Sequence, residues 1–136
     1  MEETLNVIYQ NATMGIKGIN EVLYKIQNKK LYKIIEKEKR EYENILRQVK
    51  KISKKEDIVL TEINMLAKLS SDIISQMRLK QDQSDETIIQ MMIDGTYTSI
   101  NTLKNKENVK ENKEIDKLYD EFMILLLDNI KELSNI

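Results

Sequence analysis

From Leu31 to Ile52 the chain sets Leu31, Ile35, Glu38, Tyr42, Ile45, Val49 and Ile52 at spacings of 4, 3, 4, 3, 4 and 3. Side chains three and four apart share one side of a helix with 3.6 residues per turn, so this series is a single helical stripe. A strand cannot use it, because a strand repeats its face every second residue. One member of the stripe is a carboxylate. A charge on an inward seam is costly unless it is paired, hydrogen-bonded or bound to metal, so fold and chemistry conflict at Glu38. The plain expectation is a place at the stripe's edge, paired with a Lys, Arg or Tyr.

The pattern recurs along the chain. Leu5, Ile8, Ala12, Ile16, Ile19, Leu23 and Ile26 form a stripe that predicts a helix over residues 2–27, with Glu2 and Glu3 at its positive end. Gly15 and Gly18 interrupt that helix, each at up to ~1 kcal/mol against alanine, and the usual compensation is close approach of a neighbouring helix. Past Ile26 the stripe would demand lysines, so the apolar phase restarts at Leu31. A turn is predicted at residues 28–30, with Asn28 left-handed at the helix end; one unbroken helix through Ile52 is the alternative.

The second helix is predicted over residues 31–53 and a loop over 54–60. A third amphipathic run through Ile63, Leu66, Ser70, Ile73, Ile74 and Met77 predicts a crossover helix over about residues 61–80. The polar string at 80–84 breaks it, and Ser84 or Asp85 can cap the next helix. A single bent helix over 61–103 fits the same pattern. The run over 86–104 presents Ile89, Ile93, Tyr97 or Thr96, Ile100 and Leu103, with Met91 and Met92 as core fillers. A polar turn at 105–112 precedes the last helix. Its apolar face, carried by Ile115, Leu118, Phe122, Leu125, Leu126, Ile130 and Leu133, is the widest, and this helix is predicted to be the best buried.

With no Pro, three Gly and 5% aromatic residues, the chain lacks the turn chemistry that many short strands require. Its 136 residues fit one domain over 1–136, made of a hairpin at 1–53, the crossover helix, and a hairpin at 85–135. A faint internal repeat accompanies this division. At an offset of eighty-one residues Ile8, Ile19 and Asn20 meet Ile89, Ile100 and Asn101, and Gly18 meets Ser99. The residues expected to carry the packing are Ile8, Ile19, Ile35, Ile45, Ile100, Phe122 and Leu125.

The chain has no Cys and no His, which removes thiol chemistry and the His-based triads. No glycine-rich phosphate loop is present either. Residues 29–56 hold eleven basic against five acidic residues, and residues 85–136 hold six against eleven, within a net charge of −1. The basic segment, with Tyr32 and Tyr42, is the one place for nucleic acid. Its glutamates, however, pair with basic residues at i, i+4, as in Glu36 with Arg40 and Glu43 with Arg47, which describes a solvated face and no nucleic-acid partner. No apolar run nears the roughly 18 residues of a membrane span and the N-terminus is acidic, so a cytoplasmic protein is expected, with a Lys, Ile, Asn and Glu content like that of an AT-rich bacterial genome.

Two helical hairpins joined by a long crossover resemble the ferritin-like superfamily, and the resemblance covers nearly the whole chain. It implies an all-α, ferritin-like four-helix up-down bundle. In metal-binding members a carboxylate from each of two helices joins a Glu-x-x-His pair from each of the other two. Here Glu38 and Glu41 have the i, i+3 spacing, the His is missing, and Asp94 and Asp120 are the remaining carboxylates on the other helices. The expected role is therefore a non-catalytic interaction or structural protein without a cofactor, working as a homo-oligomer or through a protein partner, with Ile73, Ile74 and Met77 as the contact. The alternative is a ferritin-like carboxylate protein with a reduced iron or manganese site at Glu38, Glu41, Asp94 and Asp120.

Overall fold

The computed structural model describes residues 2–62, 84–105 and 112–136. Among them are four α-helices and no strand: α1 (Glu2–Val22), α2 (Lys29–Glu56), α3 (Asp85–Lys104) and α4 (Lys113–Ser134), with a short 3-10 turn at Leu23–Lys25 after α1. Three of the four starts carry a side-chain cap. Asn28 accepts from the Leu31 amide at 3.0 Å, Ser84 from Thr87 at 3.3 Å, and Asn112 from Glu114 and Ile115 at 2.9 and 3.1 Å. Each cap satisfies backbone donors that a first helical turn leaves open.

These caps revise two local expectations. Asn28 is extended (φ −73°) and opens α2; it is not a left-handed residue closing α1. A short side-chain amide reaches the orphan N–H groups of the following turn more readily than it ends the preceding one, and the 3-10 turn has already stopped α1 five residues early. The left-handed residue is Asp57 (φ 53°), which closes α2 at Glu56, beyond the expected Ser53. Thr61 and Glu62, where the crossover helix was expected to begin, are not helical; the rest of the expected 61–80 helix, with Ile73, Ile74 and Met77, and residues 106–111 of the second turn lie outside the described residues.

Contacts at the helix ends fix the directions. As α2 advances through Lys37, Gln48 and Lys55, its partners on α4 retreat through Glu132, Glu121 and Glu114, so the two run antiparallel. The Tyr119 hydroxyl donates to the Leu103 carbonyl at 3.0 Å, closing the α3–α4 hairpin. At the end of α1, Asp85 accepts from the amides of Gln27 (3.1 Å) and Asn28 (2.9 Å), and Val22 packs with Ile88 and Met91, so α3 starts where α1 finishes. At the other end Asn6 and Gln10 hydrogen-bond the backbone of Val59 and Thr61, which seats the segment after α2 against the first turns of α1. Neighbouring helices are therefore antiparallel in the ring α1–α2–α4–α3. The exit of α2 and the entry of α3 lie at opposite ends of the bundle.

The core contains Ile8, Ile19, Ile35, Ile45, Ile100 and Phe122, as expected, and Leu126 where Leu125 was the expectation. Leu125 is half-buried. Helix α4 is not the best buried: Ile124 and Leu127 are 60% and 51% exposed, because its apolar face is wider than the two flanking helices can cover. On α3 Ile100 and Leu103 are buried as expected, and of the pair Tyr97 or Thr96 it is Thr96 that is buried, while Ile88, Met91 and Ser99 take the buried places in preference to half-buried Ile89 and Ile93.

The two glycines of α1 have different reasons. A Cβ at Gly15 would lie 2.8 to 3.1 Å from the Tyr42 ring, whereas one at Gly18 would meet nothing within 4 Å. Close approach thus explains the first and not the second. In urea denaturation Gly15→Ala is expected to lower stability by about 1–3 kcal/mol through overpacking against a buried ring. Gly18→Ala is expected to raise it by up to about 1 kcal/mol, through helix propensity alone.

Candidate functional site

Tyr42 occupies the middle of the bundle, 3% exposed. Its ring lies against Gly15 of α1 and stands edge-on to Phe122 of α4, with centroids 6.0 Å apart at 85°. Burial raises the pKa of its hydroxyl, as does nearby Glu38, while the neighbouring side chains of Asn129 of α4 and Thr96 of α3 act in the opposite sense. Thr96 itself donates to the Met92 carbonyl at 2.7 Å.

One turn before Tyr42 on the same stripe lies Glu38, with 0% exposure. Neither of its carboxylate oxygens has a hydrogen-bond partner among the described residues, and the same is true of Oε1 of Glu41 and of Nδ2 of Asn129. The expectation of an edge position with a Lys, Arg or Tyr partner is therefore not met. Lys37, whose charge acts on Glu38, pairs instead with Glu132 at 2.9 Å. Burial pushes the Glu38 pKa up to about 8, with Glu41 and Glu132 raising it further and Lys37 opposing them. Glu41 is raised as well, mainly by burial, against the attraction of Lys37. At neutral pH Glu38 is a buried carboxylic acid, a neutral hydrogen-bond donor held in an apolar bundle.

Beside Tyr42, between α1 and α3, lies a cavity of about 40 Å³. All three glycines of the chain line it, with Met14, Met91, Thr96 and Ser99 among its other walls. That volume suits a few waters rather than an organic ligand.

The structure brings Glu38 and Glu41 together, as their i, i+3 spacing implied, and leaves Asp94 and Asp120 on exposed faces. Asp94 instead accepts from Gln90 of its own helix at 2.8 Å. Among the described residues no group of three or more His, Cys, Asp or Glu is placed to hold a metal ion. The donor set of a di-iron centre is thus not assembled there. Asn129 is the site residue that the sequence reading missed. It sits in the series Phe122, Leu126, Asn129, Leu133, at spacings of 4, 3 and 4, and that polar interruption of an apolar stripe was the available signal.

Comparison with models of protein families, with curated proteins and with solved structures found no match. No helix among the described residues is long and apolar enough to cross a membrane.

Glu38 generates a pH prediction. Its folded pKa is raised above the ordinary 4.5, so the folded chain keeps a proton that the unfolded chain releases. Its contribution to stability is full below pH 4.5, is lost as pH rises to about 8, and is constant beyond. The unfolding free energy from urea denaturation should fall over that window by an amount on the order of a few kcal/mol. The slope should be much flatter in Glu38→Gln; equal slopes in the two proteins would contradict the buried acid.

Proposed function

We propose that this chain is a non-catalytic interaction or structural protein that self-associates, built on a ferritin-like up-down bundle. The observation that carries the self-association is on α4, where Ile124 and Leu127, one turn apart, are 60% and 51% exposed although neither serves the core. Large apolar side chains adjacent on one outer helix face gain by burial at roughly 25 cal/mol per Å² when a partner covers them. The ferritin-like part of the reading is supported by the helix directions: antiparallel neighbours, with α2 and α3 parallel. A cytoplasmic, bacterial setting belongs to the same proposal and rests on composition.

A second reading has its own observation. Three carboxylate oxygens of Glu38 and Glu41 are buried without a partner among the described residues, and a hard cation completed by water would satisfy them. In this form the chain is a carboxylate protein binding iron or manganese with a reduced site.

Native mass spectrometry after Mn(II) loading and desalting separates the two readings in wild type and Glu38→Gln. A metal-free dimer in both proteins is the result expected of the first. Stoichiometric metal lost in Glu38→Gln would replace it with the second, and a metal-free monomer at every concentration would remove both.

A further inference from the structure

The outer face of α4 carries a pattern that matches itself when reversed. Asp120, Ile124, Leu127 and Lys131 are all exposed, and at 100° per residue they fall within a sector of about 60° on the solvent side of the helix. Their order along the helix is acid, apolar, apolar, base. The midpoint between Ile124 and Leu127 is also the midpoint between Asp120 and Lys131. A second α4 laid antiparallel across that midpoint therefore sets Ile124 against the partner's Leu127, and Asp120 against the partner's Lys131, twice over by symmetry. The next positions outward are compatible: Asp116 and Lys117 fall opposite Asn135 and Ser134, which bear no charge.

We infer that the α4 face centred between Ile124 and Leu127 is an isologous interface, and that its occupant is α4 of a second copy of this chain. The inference rests on the self-association proposed above and assigns it to a surface and a symmetry. A two-fold contact requires one patch to be complementary to itself, and the charge order of α4 meets that requirement. Asp120 and Lys131 take part in none of the ion pairs of the described residues, where Lys37, Lys55 and Arg40 are the basic partners and Glu132, Glu114 and Glu36 the acidic ones. They are thus available to a partner. The flank of α4 that meets α2 is already engaged through Glu114, Glu121 and Glu132, and the flank that meets α3 through Tyr119. What remains is the outward sector. From Asp120 to Lys131 is about 16 Å of helix, a short seam, so the dimer is expected to be weak and concentration-dependent.

Charge reversal tests the geometry directly, with sedimentation velocity as the readout and circular dichroism as the control for folding. Asp120→Lys places two lysine pairs at the interface and Lys131→Asp two aspartate pairs, so each variant alone should dimerise on the order of ten-fold more weakly than wild type. Mixed together, the two variants form a heterodimer in which both opposite-charge pairs are restored, and association should return. The double variant Asp120→Lys/Lys131→Asp should dimerise like wild type. If wild type dimerises and no reversal affects it, the α4 interface is wrong while the self-association reading stands. If folded wild type is monomeric at every concentration, both fall.

Discussion

Near the middle of the bundle one side chain of α2 is packed by its neighbours on α1, α3 and α4. Tyr42 belongs to α2, its ring fills the space that Gly15 of α1 leaves open and stands edge-on to Phe122 of α4, and it lines one cavity with Thr96 of α3. An aromatic residue with a polar tip can bury a large area and still require a partner for its hydroxyl, so it specifies position as well as cohesion. Gly15 follows from this, since any larger residue collides with the ring. The approach of α1 to α2 and the depth of Phe122 are consequences of the same contact.

Glu38 lies beside that contact and gains nothing visible from it. A buried carboxyl without hydrogen-bond partners persists only by staying neutral, and burial with two neighbouring acids raises its pKa to about 8 for that reason. A leucine of similar volume would stabilise the bundle more, by the general rule that buried polar groups are replaced by apolar ones at little loss. Three unpartnered oxygens and one unpartnered amide nitrogen, on two facing helices close to Tyr42, form the polar fault in an otherwise apolar core. Charged residues that stay solvated lie along the flanks, where Lys37 and Lys55, together with the neutral Gln48, meet glutamates of α4.

Much of the fold was legible in the sequence because its periodicity is strong. The stripe from Leu31 to Ile52 placed α2 in register, including Glu38 on the seam, and the packing residues on α1 and α2 followed. Legibility failed where one residue type serves two local structures: Asn28 can end a helix or begin one, and only the 3-10 turn before it decides. It failed again on α3, where Ile88, Ile89, Met91, Met92 and Ile93 offer apolar side chains in every direction and the facing helices select the buried set. Of the candidate carboxylates, only Glu38 and Glu41 had a spacing that guarantees proximity. Asp94 and Asp120 lie on separate helices, whose rotation no local pattern fixes.

Native-state hydrogen exchange followed residue by residue tests the keystone role of Tyr42 most directly, in wild type and Tyr42→Leu. If the four helices are held through that side chain, the slowest amides on α1, α2, α3 and α4 near it share one opening free energy, and the substitution lowers all four together. If the α1–α2 hairpin weakens while the slow amides of α3 and α4 keep their protection, the two hairpins are independent units and Tyr42 is an ordinary core residue.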